Sequence, residues 1–332
     1  MQAWKAPGSD GWTMKAIKLL HQHHPNIMHS VIKGMWSARD WPSSERTSLM
    51  VLIPKKESNV SDVAGLRPLS MTNVGYRILS KLMALRLQPI TPSLLPEGQV
   101  GFVAGRNMID NIYMLQTFLD RPHDRTSAAA FIDFEKAYDS VPRWLVHESL
   151  KARRFPPAFR AVVMRMHENT RAMLRLNGKV NTDFDVTRGV KQGCAIAPIL
   201  FAMAIQPLLD RAQRELSGVH IVGDPGTPNI VYRAYADDIV FYLASPYDHH
   251  LLSSILKEWE AITGMRVSPS KSGLIRTRKK WTSTSLAPGV STTKGDMARL
   301  NRSSDQYEYL GFIVARSERV GARSEWRKVF AK

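Results

Sequence analysis

Cysteine is almost absent: Cys194 is the only one among 332 residues. A single thiol excludes a disulfide framework and every zinc site built on cysteines, and it fits a reducing compartment. Long apolar runs are missing too. The longest, Ala195 to Ile205, is broken by Pro198 and falls well short of the roughly 20 residues that a membrane-spanning helix needs. No segment reads as a secretory signal. The expectation is therefore a soluble, intracellular protein with no membrane partner; nothing chooses between nucleus and cytoplasm, and the nucleus is compatible. No internal repeat is visible. Acidic residues are scarce beside basic ones: 29 Asp and Glu face 46 Lys and Arg, a net charge of +17. Such an excess marks either a plain solvated surface or a polyanionic partner, most often nucleic acid. The 44% apolar and 23% charged content is ordinary, and a chain of this length can bury more than one core.

The few acids that interrupt apolar stretches stand out. Within Val231–Tyr242, two β-rich runs are joined at Tyr235-Ala236-Asp237-Asp238. Ala128 to Ile132 is a second buried-looking strand, and it ends on Asp133. Acids after apolar runs commonly mark solvated turns, and one Asp-Asp pair is a weak motif. The chemical alternative is that adjacent carboxylates offer hard oxygen ligands to a divalent cation. Three of them at neighbouring strand tips could hold two ions for a displacement at phosphorus.

The rest of the chain reads in order. A Pro/Gly-rich turn, Ala6-Pro7-Gly8-Ser9-Asp10-Gly11, leads into a helix from Met14 to Leu20. His21, His23, His24 and His29 follow with Pro25 among them; without cysteines they read as a solvated helix end, not a metal site. Ser48 to Ile53 is a strand with a basic tip at Lys55, and Arg67 follows a Ser/Asn-rich loop. A Lys and an Arg brought together across a hairpin could grip a triphosphate, the Arg by its fork; a solvated basic loop is the alternative. Helical patterns cover Tyr76–Leu87 and Met108–Leu119. Arg106, just before the second, could touch a nucleic-acid backbone or hold a helix start. Two helix-like runs occupy 143–176, a strand runs from about Ala172 to Val180, and Asn177-Gly178 is a hairpin signal. Gly189 and Gly193 flank Gln192, letting backbone approach a ligand closely, before a helix over Ile199–Leu209. Another helix spans His249–Ile262. Residues 281–305, rich in Ser, Thr and Gly, read as a flexible loop. From Lys271 onward, 14 Lys and Arg face 5 Asp and Glu.

Phe131-Ile132-Asp133-Phe134-Glu135-Lys136-Ala137-Tyr138-Asp139 resembles the first signature of reverse transcriptases, and Tyr235-Ala236-Asp237-Asp238 the third. The opening Ala-Pro-Gly-x-Asp-Gly, Ile53-Pro54-Lys55 with Arg67-Pro68-Leu69-Ser70, Gln99-x-Gly-Phe, Gln192-Gly193 and Tyr309-Leu310-Gly311 stand in the right order. Together they are similar to non-LTR (LINE-type) retrotransposon enzymes over about residues 4 to 315. The resemblance implies an α+β right-hand polymerase palm, an antiparallel sheet backed by helices, with fingers and a truncated thumb. It places fingers at 1–104, palm at 105–148 and 186–275, returning fingers at 149–185, and a primer-grip region with a thumb stub at 276–332.

The implied activity is RNA-directed DNA polymerisation with an RNA template, a DNA primer and dNTPs as partners; the oligomeric state stays open. Asp133 and Asp237 would hold two Mg²⁺ ions, or Mn²⁺ in their place, with Asp238 completing the metal site. Lys271 would protonate or neutralise the departing pyrophosphate. Lys55 and Arg67 would grip the incoming triphosphate, Tyr138 would exclude a 2′-hydroxyl, and Gln192 would sit at the nascent base pair. Glu135 and Asp139 read as structural or solvated acids. Two departures from the family pattern are Ala195-Ile196-Ala197 for Pro-Leu-Ser and Val267-Ser268 for Leu-Asn. The absence of an endonuclease region and the short tail after the primer-grip block point to a piece of a longer, or decayed, retroelement protein. A thumb-less remnant that only binds RNA is the alternative. A metal-dependent nuclease is a third reading, weakened by Tyr138 and Gln192, since hydrolysis needs no base or sugar selection.

Overall fold

The structure is a computed structural model that describes residues 6–54, 65–120, 127–221, 228–276, 306–310 and 312–315. In chain order it begins with α1 (Met14–His23), α2 (Pro25–Ser37), α3 (Ser43–Arg46), β1 (Thr47–Pro54), β2 (Leu66–Met71) and α4 (Val74–Leu87). Next come α5 (Thr91–Leu94), α6 (Met108–Asp120), β3 (Ala128–Ile132), α7 (Ala137–Ser140), α8 (Arg143–Ala152) and α9 (Pro157–His167). Then follow β4 (Thr170–Leu176), β5 (Lys179–Val186), α10 (Ala197–Glu215), β6 (Tyr232–Tyr235) and β7 (Asp238–Leu243). α11 (Pro246–Thr263), β8 (Gly273–Arg276), β9 (Gln306–Tyr309) and β10 (Phe312–Ala315) complete the order. No described helix is long and apolar enough to cross a membrane. Contacts divide the chain into two compact units, Met1–Thr91 with Tyr138–Met203, and Pro92–Ala137 with Ala204–Lys332.

In the first unit the strands lie in the order β2-β1-β4-β5. β1 and β2 pair antiparallel with Ile53 opposite Arg67, so the expected hairpin forms; Lys55 lies outside the described residues. β1 also pairs parallel with β4, a long-range contact that no local pattern announces. Between β4 and β5, Asn177 and Gly178 take φ values of 48° and 79°. Positive φ at both turn residues matches the twist of the flanking strands. Pro25 opens α2, at a position where its missing N–H leaves nothing unpaired. The four histidines around it are all exposed; His21, His23 and His24 end α1 as expected, whereas His29 lies within α2.

The second unit holds a wholly antiparallel sheet, β6-β7-β3-β8. β3 reads Ala-Ala-Ala-Phe-Ile because every residue along it is buried. Ile112, Leu115 and Phe118 of α6 pack with Ala129 and Phe131 of β3 and with Val240 and Tyr242 of β7. Truncating one of the larger of these side chains to Ala would cost about 2–5 kcal/mol. α11 packs beside β7. It is capped by Ser245, whose hydroxyl accepts from the Asp248 N–H, and closed by Gly264 at φ 69°. β9 and β10 form a separate hairpin, where the primer-grip block was expected; Gly311 and the loop expected at 281–305 lie outside the described residues.

Candidate active site

Two strand ends carry the acids. The antiparallel register pairs Ile132 with Ile239, so the next pair along brings Asp133 opposite Asp238. Across β6 and β7, Tyr235 pairs with Asp238, leaving Ala236 and Asp237 as the hairpin turn. Ala236 has φ 57°, a left-handed conformation that a Cβ disfavours. Asp133 is braced by the segment after α11. Its N–H donates to Ser272 Oγ at 3.1 Å, and its carbonyl accepts from the Ser268 N–H at 2.8 Å. The same segment brings Lys271 Nζ to 3.4 Å from Asp133 Oδ1. Asp133, Asp237, Asp238 and Lys271 thus gather at one end of one sheet.

This crowding has electrostatic consequences. Asp238 keeps an exposed surface, yet protein crowds its carboxyl. Partial desolvation, then repulsion from Asp237 and Asp133, push its pKa up to about 6, against the pull of Lys271. Among the described residues no ready-made cluster of three His, Cys, Asp or Glu ligands exists. The donor chemistry nonetheless fits a hard divalent cation: the carboxylates offer only oxygen, and their mutual repulsion is what a cation would relieve.

Tyr138 and Gln192 lie in the first unit, at the loop between β5 and α10. The Val190 N–H donates to the Tyr138 carbonyl at 2.8 Å, and the Gly189 N–H to the Val141 carbonyl at 3.0 Å. From β2, the Ser70 N–H donates to the Gln192 carbonyl at 3.2 Å. Gly193 has φ 103°, and a Cβ there would stand 2.9 Å from the Ser70 carbonyl oxygen. Gln192 Nε2 donates to Asp139 Oδ2 at 2.8 Å, so Asp139, read as a structural or solvated acid, orients the glutamine. The Tyr138 ring stacks on Phe201 with centroids 4.8 Å apart. Arg67 is exposed on β2. Beneath the loop, Lys191 is buried with Nζ 4.7 Å from the centre of the Tyr76 ring; desolvation lowers its pKa to about 8. Ile196 and Ala197, where the chain departs from the family pattern, are buried core residues.

Arg106 closes one of the open alternatives. Its guanidinium donates to the carbonyls of Pro92, Leu95, Pro96 and Gln99 at 2.5–3.2 Å, so it is a structural clamp. Ser268 and Ser272 were not anticipated as supports for Asp133. Ser268 acts through its backbone N–H, which no side-chain pattern reveals, so the Val267-Ser268 departure leaves that bond intact.

Residues 53–314 match the family described as reverse transcriptase (RNA-dependent DNA polymerase). The chain belongs to that family. It is 27% identical over 270 residues to the transposon TX1 uncharacterized 149 kDa protein of Xenopus laevis, covering 81% of this chain and 20% of that one. To the retrovirus-related Pol polyprotein from type-2 retrotransposable element R2DM of Drosophila melanogaster it is 26% identical over 320 residues, 95% of this chain and 29% of that one. The chain therefore spans less than a third of the length of these relatives. Among solved structures, an apo telomerase from Candida tropicalis, truncated from its C-terminal domain, aligns with a TM-score of 0.52 and 12% identity. That alignment covers 82% of this chain and 54% of the telomerase. The likeness bears out the fold: α+β, of the polymerase-palm type, with a sheet backed by helices.

Proposed function

We propose that this chain is the RNA-directed DNA polymerase of a non-LTR retroelement, extending a DNA primer on an RNA template with dNTPs. The reading is carried by the meeting of Asp133, Asp237 and Asp238 at the end of the second unit's sheet, in a chain of this family. The +17 net charge supports a nucleic-acid partner.

In this reading the three carboxylates hold two divalent cations, Mg²⁺ first and Mn²⁺ as the substitute. When bound, such ions activate the primer 3′-oxygen and neutralise charge on the leaving pyrophosphate. Lys271, drawn to Asp133 in the free chain, supplies a proton or a positive charge to the departing pyrophosphate. Arg67, with Lys55, clasps the triphosphate. Tyr138, backed by Phe201, fills the space a 2′-hydroxyl would need, and Gln192, oriented by Asp139, lies along the nascent pair. The division into fingers and palm belongs to the same proposal.

The test is primer extension on an RNA template with dNTPs and Mg²⁺, running the purified chain beside Asp237→Ala and Asp238→Ala. Extension by the wild type that both substitutions abolish is expected. A wild-type chain that binds RNA but adds no nucleotide would overturn the reading.

A further inference from the structure

We infer that Gln99 is a positioning residue for the Asp237–Asp238 turn, a buried clamp that holds Ala236 in its left-handed conformation. The inference rests on the polymerase reading for its catalytic consequence, but its structural half stands alone. Gln99 has no exposed surface. Its Oε1 accepts two backbone hydrogen bonds, from the Ala236 N–H at 3.0 Å and the Gly101 N–H at 3.2 Å. The segment it belongs to lies along β6, the edge strand of the sheet. The Val100 N–H donates to the Ala234 carbonyl and the Ala234 N–H to the Gly98 carbonyl, both at 2.8 Å. Gln99 is itself fixed at its carbonyl by Arg106.

The fit leaves no slack. A Cβ on Gly101 would stand 2.4 Å from the Ala236 nitrogen, and one on Gly98 would stand 2.5 Å from Cε2 of the Tyr232 ring. The two glycines let the segment close onto the hairpin, and the glutamine carbonyl meets the Ala236 N–H of the turn. Filling space does not require an amide, since methionine has nearly the same length. Gln99 Nε2 finds no acceptor among the described residues, so the two bonds at Oε1 are what this buried amide contributes. Ala236 immediately precedes Asp237. Releasing its N–H lets the turn relax toward an ordinary φ and shifts both carboxylates relative to Asp133.

The test compares Gln99→Met, which removes the acceptor, with Gln99→Glu, which keeps one. Readouts are single-nucleotide incorporation at saturating dNTP and amide hydrogen exchange across residues 232–238. Gln99→Met is expected to lower kcat by about 10- to 100-fold, the scale of a small misplacement of reacting groups, with the KM for dNTP unchanged and the Ala236 amide deprotected. Gln99→Glu should keep the amide protected. Adding Ala236→Gly to Gln99→Met should recover much of kcat, because glycine adopts positive φ freely; a general packing defect would not be rescued there. Gln99→Asn, whose carbonyl is withdrawn by one methylene, serves if the methionine variant does not fold, with the same losses expected. Wild-type kcat, or an Ala236 amide still protected in the acceptor-less variant, overturns the proposal. If the wild-type chain extends no primer, the polymerase reading fails while the exchange comparison still decides the clamp.

Discussion

Lys271 Nζ is ion-paired with Asp133 Oδ1 at 3.4 Å across 138 residues of sequence. The lysine side chain is 60% exposed and the aspartate 27%, so the pair contributes little to stability, on the order of 0–1 kcal/mol. Its value is placement: a cation is held beside the carboxylate cluster before any substrate arrives. Lys271→Ala should slow single-nucleotide incorporation by about 10²-fold, the scale of lost proton transfer, while the melting temperature barely moves. Lys271→Arg should restore charge but not proton donation. Rapid-quench incorporation beside a thermal melt separates these outcomes.

Asp238 predicts a pH dependence of defined sign. Its folded pKa of about 6 lies above the ordinary value of 3.8, so the folded state holds its proton more tightly than the unfolded one. Stability of the metal-free chain should therefore fall as pH rises from about 4 to about 6 and level off above. Asp238→Asn should remove that slope, and a saturating divalent cation should oppose the loss at pH 7. Melting curves across pH, with EDTA and with Mg²⁺, test both statements. Because proton and cation compete for the same carboxylate, the apparent affinity for Mg²⁺ should weaken as pH falls below about 6.

The bond from Gln192 to Asp139 makes a coupled pair. Asp139→Ala should lower kcat/KM for dNTP by about tenfold, in line with the loss of a hydrogen bond to a charged group. Asp139→Ala combined with Gln192→Ala should be no worse than Gln192→Ala alone if the acid acts only through the glutamine. A double-mutant cycle on incorporation rates gives the answer.

Tyr138→Ala should raise ribonucleotide incorporation relative to deoxyribonucleotide, with little effect on dNTP kcat. Competition between a dNTP and its rNTP reads this directly. Unchanged discrimination would leave Tyr138 as a packing partner of Phe201.

Arg106→Lys should destabilise the second unit, because a point charge cannot span the four carbonyls that the planar guanidinium reaches. A loss of roughly 1–3 kcal/mol is expected from leaving carbonyls unpaired, measured by urea unfolding.

Much of this was legible from local pattern. The apolar run ending at Asp133, the Asp237–Asp238 turn, the Asn177-Gly178 hairpin and the helices from Met108 and around His249 lie where periodicity and turn chemistry put them. Pattern could not supply pairing between distant segments. β1 lies beside β4 in parallel, and β5 runs on to Val186, beyond the strand expected to end near Val180. α2 follows a histidine-rich helix end and starts on a proline. The supports of the site were hidden for a related reason. Ser268 contributes a backbone N–H, and Gln99 and Asp139 matter only through partners far away in sequence, Ala236 and Gln192. The signature residues themselves are displayed by strand ends, which is why the sequence exposes them.

The interleaved topology has a consequence for how the chain is made. Ile132 finds its partner at Ile239, more than a hundred residues later, and β1 waits a similar distance for β4. As the polypeptide leaves the ribosome, β3 emerges with five apolar residues and no sheet to join, while the first unit is still waiting for β4 and β5. Neither half can be finished before the other has begun. A transcript cut short between β3 and β7 yields a product that exposes an unpaired apolar strand, the kind of surface that aggregates or recruits chaperones.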